Sequence, residues 1–255
     1  MSALRTSVFL LSVCVACGPP ATPLPAASSP TASSSNPAPE RAAHDGGRGH
    51  GHSHGHGHAH SGPTVNHRFE DPEHWAKVFD DPKRDGWQKP DEVLRELALS
   101  PAEVVADLGA GTGYFSVRLA RALPKGRVLA IDVEPRLVEH MRERAKREGT
   151  PNLEAVLGSH DDPKLPERVG VVLVVDTYHH IGDRPDYFRR VKGHLAEDGR
   201  VVIVDFKKGS FPVGPPDAHK LAPEVVVSEM ATAGFRHCKS FDLPYQYMLT
   251  FRTQC

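Results

Sequence analysis

The chain has 255 residues, with 31 Lys and Arg against 32 Asp and Glu, and a formal net charge of −1. This balance argues against an extended basic surface, so no nucleic-acid partner is expected. The apolar share of 39% is low for a folded chain. It is lowered by the first quarter, where Pro, Ala, Ser, Gly and His dominate, and the composition typical of a folded domain begins at about His67.

Residues 1–17 have the pattern of an export signal. Arg5 precedes a short apolar run over 8–16, which is too short to cross a bilayer as a helix. The run ends in Val15-Ala16-Cys17-Gly18, which resembles a bacterial lipobox, where the cysteine becomes lipid-modified. The sequence therefore predicts a protein of the cell envelope, periplasmic or associated with the outer membrane. A lipid at Cys17 would be its only membrane attachment, and a plain secretory signal or a cytoplasmic protein are the alternatives.

Residues 18–66 form a predicted disordered tether, because they hold too few apolar side chains to offset the entropy of ordering. The tether contains a run in which histidine alternates with small residues, and its candidate metal ligands are His50, His52, His54, His56, His58 and His60. Neutral imidazole binds Zn, Ni and Cu, and a flexible chain can wrap several rings around one ion. The alternative is a polar spacer without a physiological metal.

Hydrophobic periodicity and chain breakers predict an alternation of helices and strands over the single domain of residues 67–255. Helices are expected over 72–79, 91–99, 114–122, 135–148, 185–195 and 223–233, with a loop over 84–90. Strands are expected over 104–108, 127–132, 153–157, 169–175, 200–206, 235–241 and 245–252. Such alternation predicts an α/β domain with a mainly parallel sheet and helices on both faces.

A glycine-rich turn follows the first predicted strand and reads Asp107-Leu108-Gly109-Ala110-Gly111-Thr112-Gly113. Glycines let the backbone turn tightly and approach a ligand, and the helix that follows offers free amide groups. The dinucleotide fingerprint G-x-G-x-x-G would need a third glycine where Tyr114 stands. The dinucleotide match therefore fails, and the sequence instead reads Asp-x-Gly-x-Gly-x-Gly, with the acid just before the turn.

The motif resembles the first motif of class I S-adenosylmethionine (SAM) dependent methyltransferases, and the similarity extends over about residues 90–252. The resemblance implies a Rossmann-like sheet of about seven strands, mostly parallel with an antiparallel last strand. It also implies that the loop residues Gly109, Ala110, Gly111 and Gly113, with Asp107 before them, pack against the methionyl part of SAM. Asp132, at the end of the second strand, would bind the ribose hydroxyls.

After the third predicted strand, either Asp161 or Asp162 corresponds to the group that contacts adenine in this family. The alternative is that both are turn and cap residues. More narrowly, Trp87-Gln88-Lys89-Pro90 and Leu243-Pro244-Tyr245-Gln246-Tyr247 resemble a subgroup of bacterial methyltransferase-domain proteins that often carry export signals.

The fourth predicted strand ends in a polar cluster that contains Asp176, His179 and His180. Ligands of open α/β sheets bind at the carboxyl ends of the strands, so this cluster is expected where cofactor and acceptor meet. These residues are candidates to orient or deprotonate the acceptor, or else they have a packing role. Aromatic residues before the sheet either wall the acceptor pocket or pack in the core: Trp75, Phe79 and Trp87.

The predicted function is methyl transfer from SAM to a small-molecule acceptor, for which alignment of the reactants and exclusion of water are the main requirements. The export signal conflicts with the cytosolic origin of SAM. The alternative is therefore an exported metal-binding lipoprotein whose methyltransferase-like domain is a binding module. Cys238 and Cys255 could pair in an oxidising compartment, and the sequence leaves this open.

Overall fold

The computed structural model describes residues 71–255. The signal, Cys17, the tether and the histidine tract lie outside the described residues and stay predictions. Within the described part, no helix is both long enough and apolar enough to cross a bilayer.

One seven-stranded sheet forms the centre of the domain, in the order β3-β2-β1-β4-β5-β7-β6. Strands β1 to β5 are parallel, and β7 runs antiparallel to both β5 and β6. The strands are β1 (Val104–Leu108), β2 (Arg127–Asp132), β3 (Leu153–Leu157), β4 (Val169–Val175), β5 (Leu195–Phe206), β6 (Arg236–Asp242) and β7 (Gln246–Arg252). This is the architecture expected from the sequence, with one antiparallel strand in an otherwise parallel sheet.

Helices cover both faces of the sheet, because successive strand residues point to opposite sides. On β1, Val105 packs in the cluster that holds α3, α4 and α5, whereas Ala106 packs in the cluster that holds α6 and α7. The helices are α1 (Pro72–Phe79), α2 (Arg84–Gln88), α3 (Pro90–Leu97), α4 (Tyr114–Ala122), α5 (Pro135–Glu148), α6 (Arg184–Gly193) and α7 (Pro223–Thr232). Helix α5 begins at a proline and ends at Gly149, whose φ of 65° suits a left-handed cap.

Several predicted element ends differ from the observed ones by one or two residues, and two predictions are wrong by more. The predicted loop over 84–90 contains α2, which is separated from α3 only by Lys89 at a φ of 52°. This single left-handed residue ends α2 and lets α3 begin at the next residue, without a loop. Strand β5 begins at Leu195 instead of Arg200, since Val169 pairs with Leu195 and Val171 with Arg200 across a bulge.

A disulfide joins Cys238 of β6 to Cys255, with 5.7 Å between their Cα atoms. This separation lies in the usual range for a cystine. The structure thus supplies the pairing that the sequence left open, at the edge of the sheet that β6 forms.

Candidate active site

A cavity of about 1220 Å³ lies at the carboxyl ends of β1, β2 and β4. Helices α1 and α2, which with the residues around them form the cap segment (residues 71–88), line its other side. A pocket for one ligand usually measures about 300–1000 Å³, so this cavity is larger than a single-ligand pocket usually is.

The glycine loop between β1 and α4 forms one wall of the cavity. Gly109 and Gly111 have φ values of 71° and 59°, a conformation that side chains disfavour. A Cβ built on Gly109 would lie 2.3 Å from the Thr177 side chain, whereas Gly111 faces the ring of Phe79 at 3.5 Å. Ala110 also lines the cavity, while Gly113 lies behind the wall at the start of α4, near Met141.

Asp132 closes the glycine loop from the end of β2. One carboxylate oxygen accepts a hydrogen bond from the Gly111 amide at 2.8 Å, and the other accepts from the Glu134 amide at 3.0 Å. Burial raises the pKa of Asp132 to about 6 against these hydrogen bonds. The carboxylate lines the cavity and retains lone pairs for a ligand hydroxyl.

Asp107 lies at the base of the loop and also lines the cavity. It is 3% exposed and accepts a hydrogen bond from the Ser116 hydroxyl at 2.6 Å. Burial raises its pKa to about 6, although the hydrogen bond from Ser116 opposes this shift. Asp107 therefore ties the loop to α4 as well as facing the cavity.

The loop fits SAM by its own chemistry. Thr112 is 1% exposed, its hydroxyl oxygen has no hydrogen-bond partner among the described residues, and it lines the cavity. A buried polar atom without a partner is costly, so it indicates a position for a ligand group. Asp132 supplies the acceptor that ribose hydroxyls need.

The two aspartates after β3 occupy different positions. Asp161 lines the cavity and accepts a hydrogen bond from the Ser159 hydroxyl at 2.8 Å, which holds its pKa below the usual value. The Asp162 carboxylate accepts instead from the Lys164 amide at 2.8 Å, and Asp162 is absent from the cavity wall. Of the two candidates for the adenine side, the geometry therefore favours Asp161.

Asp176, His179 and His180 all line the cavity beyond the glycine loop, as the strand-end rule predicted. Trp75, Phe79 and Trp87 stand on the cap side of the same space, and Phe206 faces Trp87 at 5.6 Å between ring centroids. This end of the cavity thus combines an apolar aromatic wall with titratable groups. Among the described residues, no group of at least three His, Cys, Asp or Glu side chains is placed to hold a metal ion.

His179 forms a buried pair with Asp205, the penultimate residue of β5. Its Nδ1 lies 2.9 Å and 3.0 Å from the two carboxylate oxygens, and Asp205 is fully buried. Burial lowers the pKa of His179, but the hydrogen bond and charge of Asp205 outweigh it and leave the pKa raised above 6.5. Because Asp205 fixes Nδ1, Nε2 is the nitrogen that can exchange a proton with a ligand.

Asp176 adopts a φ of 53° and pairs with Arg84 of α2, whose Nη2 lies 3.3 Å from its carboxylate. Its other oxygen accepts a hydrogen bond from the Gln246 side chain. Burial raises the pKa of Asp176 to about 7, and the Arg84 charge opposes this effect. The residue connects the cap segment to the end of β4.

Sequence reasoning missed several residues of this site, namely Arg84, Gln88, Asp205 and Gln246. Asp205 could have been found, since it closes a strand next to β4 and strand ends carry the site. Gln88 and Gln246 lie in the two segments that resemble the bacterial subgroup, but that resemblance assigns them no role. Arg84 lies in neither segment and shows no local motif.

Comparison with known proteins identifies the domain. Residues 99–239, more than half of the chain, match a family model described as a methyltransferase domain. The chain belongs to this family. The resemblance drawn from the glycine loop is therefore confirmed, and the cavity is that of a SAM-dependent methyltransferase domain.

Solved structures and curated proteins agree with this assignment. A SAM-dependent methyltransferase from Aquifex aeolicus is 26% identical, with a TM-score of 0.66 over 71% of this chain and 97% of that chain. A protein-L-isoaspartate O-methyltransferase of Aeropyrum pernix is 33% identical over 49% of this chain and 44% of its own length. A malonyl-[acyl-carrier protein] O-methyltransferase of Geobacter sulfurreducens is 27% identical over 59% of this chain and 61% of its own length. The methyltransferase domain thus spans less than two thirds of these curated relatives.

Proposed function

We propose that this protein transfers the methyl group of SAM to a hydroxyl or amino group of an apolar small molecule. The names of the relatives give acceptors as different as protein L-isoaspartate and malonyl-[acyl-carrier protein], so they do not select an acceptor. The observation that carries the proposal is the His179–Asp205 pair on the wall of a cavity that is larger than a single-ligand pocket usually is.

His179 acts as the general base. When bound, SAM supplies a methyl group already activated by its sulfonium, so the chain needs to align the acceptor, exclude water and remove a proton. Asp205 holds the imidazole as the tautomer with hydrogen on Nδ1, and Nε2 takes the proton from the acceptor O–H or N–H. The charge of Asp205 then stabilises the imidazolium that forms, as the raised pKa of His179 reflects.

Asp176 orients the acceptor beside this base. Its side chain is 20% exposed, and it is held from behind by Arg84 and Gln246, so the remaining lone pairs face the cavity. When ionised, a carboxylate accepts hydrogen bonds only, so above its pKa of about 7 Asp176 selects an acceptor that carries a donor group.

An apolar small molecule fits the remaining wall. Trp75, Phe79 and Trp87 cover the cavity from the cap segment, with Phe206 opposite. Aromatic side chains present large apolar surfaces with little loss of conformational entropy. A cavity with this aromatic wall suits an apolar acceptor.

The first test is calorimetric titration of S-adenosylhomocysteine (SAH) into the full chain. Micromolar binding is expected, and Asp132→Ala should weaken it at least about ten-fold, because the ribose acceptor and the support of Gly111 are both lost. Asp162→Ala is the control, because it removes a carboxylate that lies outside the cavity wall. Absence of binding by the folded wild-type protein would sink the proposal.

The second test uses isotopically labelled SAM with a panel of phenols, amines and thiols. His179→Gln should reduce transfer about 100-fold or more, the usual contribution of a general base. His219→Gln changes another histidine of the cavity wall and should cost far less. Equal rates in the wild type and His179→Gln would remove His179 from the mechanism.

We propose further that the protein works in the cell envelope, attached through Cys17. The sequence of the first 17 residues and the Cys238–Cys255 disulfide both support this location, since disulfides persist in oxidising compartments. Cell fractionation of the wild type and Cys17→Ser tests it. Membrane association that is lost in Cys17→Ser is expected, and a cytosolic wild-type protein with reduced cysteines would contradict the proposal.

A further inference from the structure

Two buried glutamines from distant parts of the chain meet beside the active site. Gln88 ends α2 and Gln246 begins β7, and both are fully buried. The Gln88 amide donates to the Gln246 side-chain oxygen at 2.7 Å. Both residues lie in the two segments whose sequences resemble the bacterial subgroup. The proposed chemistry makes no direct use of them.

The pair belongs to a closed ring of hydrogen bonds. Arg84 donates from Nε and Nη2 to the Gln88 oxygen, at 3.1 Å and 3.0 Å. Gln246 donates from its amide to one oxygen of Asp176, and Arg84 donates to the other at 3.3 Å. The ring thus runs from the cation of the cap segment through two amides to the active-site carboxylate.

The ring has only one workable direction. The oxygen of Gln88 faces the donors of Arg84, and the nitrogen of Gln246 faces the acceptor Asp176. Turning either amide around would set donor against donor or oxygen against oxygen, and a buried polar group without a partner is costly. The ring therefore fixes the rotation of the Asp176 side chain as well as the position of α2.

The same unit contacts the glycine loop on two sides. Thr177, which follows Asp176, has its hydroxyl 2.9 Å from the Val175 carbonyl and 3.3 Å from the Gly109 carbonyl, and its side chain fills the space beside Gly109. Arg84 donates to the Phe79 carbonyl at 3.0 Å, and the Phe79 ring faces Gly111. A shift of the hydrogen-bonded ring would therefore move the glycine loop, which is the surface that holds SAM.

We propose that Gln88 and Gln246 are positioning residues that dock the cap segment and set Asp176 and Thr177 against the glycine loop. The inference rests on the proposed function, because it assigns a role within the same cavity. Docking of the cap segment and assembly of the cofactor surface are then one event. Neither glutamine touches the reacting atoms.

The experiment compares the full-length wild type with the double variant Gln88→Leu/Gln246→Leu. Hydrogen exchange of residues 72–88 is measured without ligand, and SAH affinity is measured by calorimetry. Loss of the hydrogen bonds to Arg84 and Asp176 should raise the hydrogen-exchange rate of the cap segment about ten-fold or more. It should also weaken the affinity for SAH about ten-fold. If the double variant does not fold, Gln246→Glu is measured in its place. This change keeps the size of the side chain but sets a carboxylate against Asp176. Faster exchange of the cap segment and weaker SAH binding are expected again.

Glu96→Gln is the matched control. It removes the charge from the 2.7 Å ion pair between Glu96 of α3 and Lys239 of β6, which also bridges distant segments but lies outside the cavity wall. Cap exchange and SAH affinity should both stay at the wild-type level in this control. A folded glutamine variant with wild-type exchange and wild-type affinity would overturn the inference. Because exchange is read without ligand, this outcome is distinct from a wild type that fails to bind SAH, which would overturn the proposed function.

Discussion

The side chain of Thr177 occupies the space in which any residue other than glycine at position 109 would carry its Cβ atom. The two residues lie just after the ends of β4 and β1, which are neighbouring parallel strands whose ends define the cavity. The first glycine of the loop is thus required by a contact between strands as well as by its φ of 71°.

Gly109→Ala should destabilise the domain and weaken cofactor binding. The new methyl group would lie 2.3 Å from Thr177, and the backbone conformation is strained for alanine. We expect a loss of about 1–3 kcal/mol in the free energy of unfolding and at least about ten-fold in SAH affinity. Denaturant unfolding and calorimetry measure the two effects.

Gly149→Ala is the control for that variant. Gly149 has a similar φ of 65°, but no atom lies within 4 Å of a built Cβ. It should cost about 1 kcal/mol of stability from the backbone alone and leave SAH affinity unchanged. Equal effects of the two variants on SAH binding would contradict the role given to Thr177.

Asp161→Asn should weaken SAH about three- to ten-fold, whereas Asp162→Asn should not. Asp161 lines the cavity, and its replacement removes a charged acceptor. Asp162 only accepts from the Lys164 amide, which an asparagine oxygen can also do. Calorimetry measures the SAH affinity of the two variants. A larger loss of affinity in Asp162→Asn than in Asp161→Asn would show that the adenine side has been assigned to the wrong residue.

Asp205→Asn should lower the pKa of His179. In the wild type, burial lowers this pKa, but the hydrogen bond and charge of Asp205 raise it to a value above 6.5. Neutral His179 is the base, so transfer should rise with pH through the raised pKa, and the rise should move to lower pH in the variant. The same raised pKa means that the pair stabilises the fold fully below about pH 6.5, a contribution lost as the pH rises through the folded-state value.

NMR titration of the imidazole signals measures this pKa directly, with His179→Gln to assign the resonance. A titration of His179 that is unchanged in Asp205→Asn would contradict the coupling. Methyl transfer as a function of pH provides the second readout once an acceptor is known.

Reduction of the disulfide should lower stability without affecting the cavity. Cys238 and Cys255 are 17 residues apart in sequence, and neither lines the cavity. Loss of a cross-link over a loop of this length costs about 3 kcal/mol in the chain-entropy account. Urea unfolding of Cys255→Ser and the wild type, with and without reductant, measures the loss, and SAH affinity should be unchanged. A wild type that unfolds identically with and without reductant would argue against the bond.

The sequence predicted the centre of the sheet well because the central strands β1 and β4 are mostly apolar runs bounded by clear breakers. Val169–Val175 is an example, since both of its faces are covered by helices. The glycine loop was equally readable, because its conformation restricts the choice of residue. The short helix α2 was missed because it depends on one left-handed residue, Lys89, that carries no glycine signal.

The rest of the site depends on contacts that no local pattern records. The bond between Gln88 and Gln246 joins residues 158 positions apart, and the pairing of His179 with Asp205 requires the adjacency of β4 and β5. A bulge hid the true start of β5, since the chain skips residues between the partners of Val169 and Val171. Sequence periodicity indicates which residues face a core, and tertiary packing decides which polar side chains meet.

The placement of Trp75 and Trp87 gives the protein a built-in optical reporter. They are the only two tryptophans in the chain, and both line the cavity from the cap segment. Their emission depends on what occupies the space in front of the indole rings and on whether the cap is docked. Unlabelled compounds can therefore be screened against the SAH-loaded protein by intrinsic fluorescence, so the search for the acceptor can begin before any turnover assay exists.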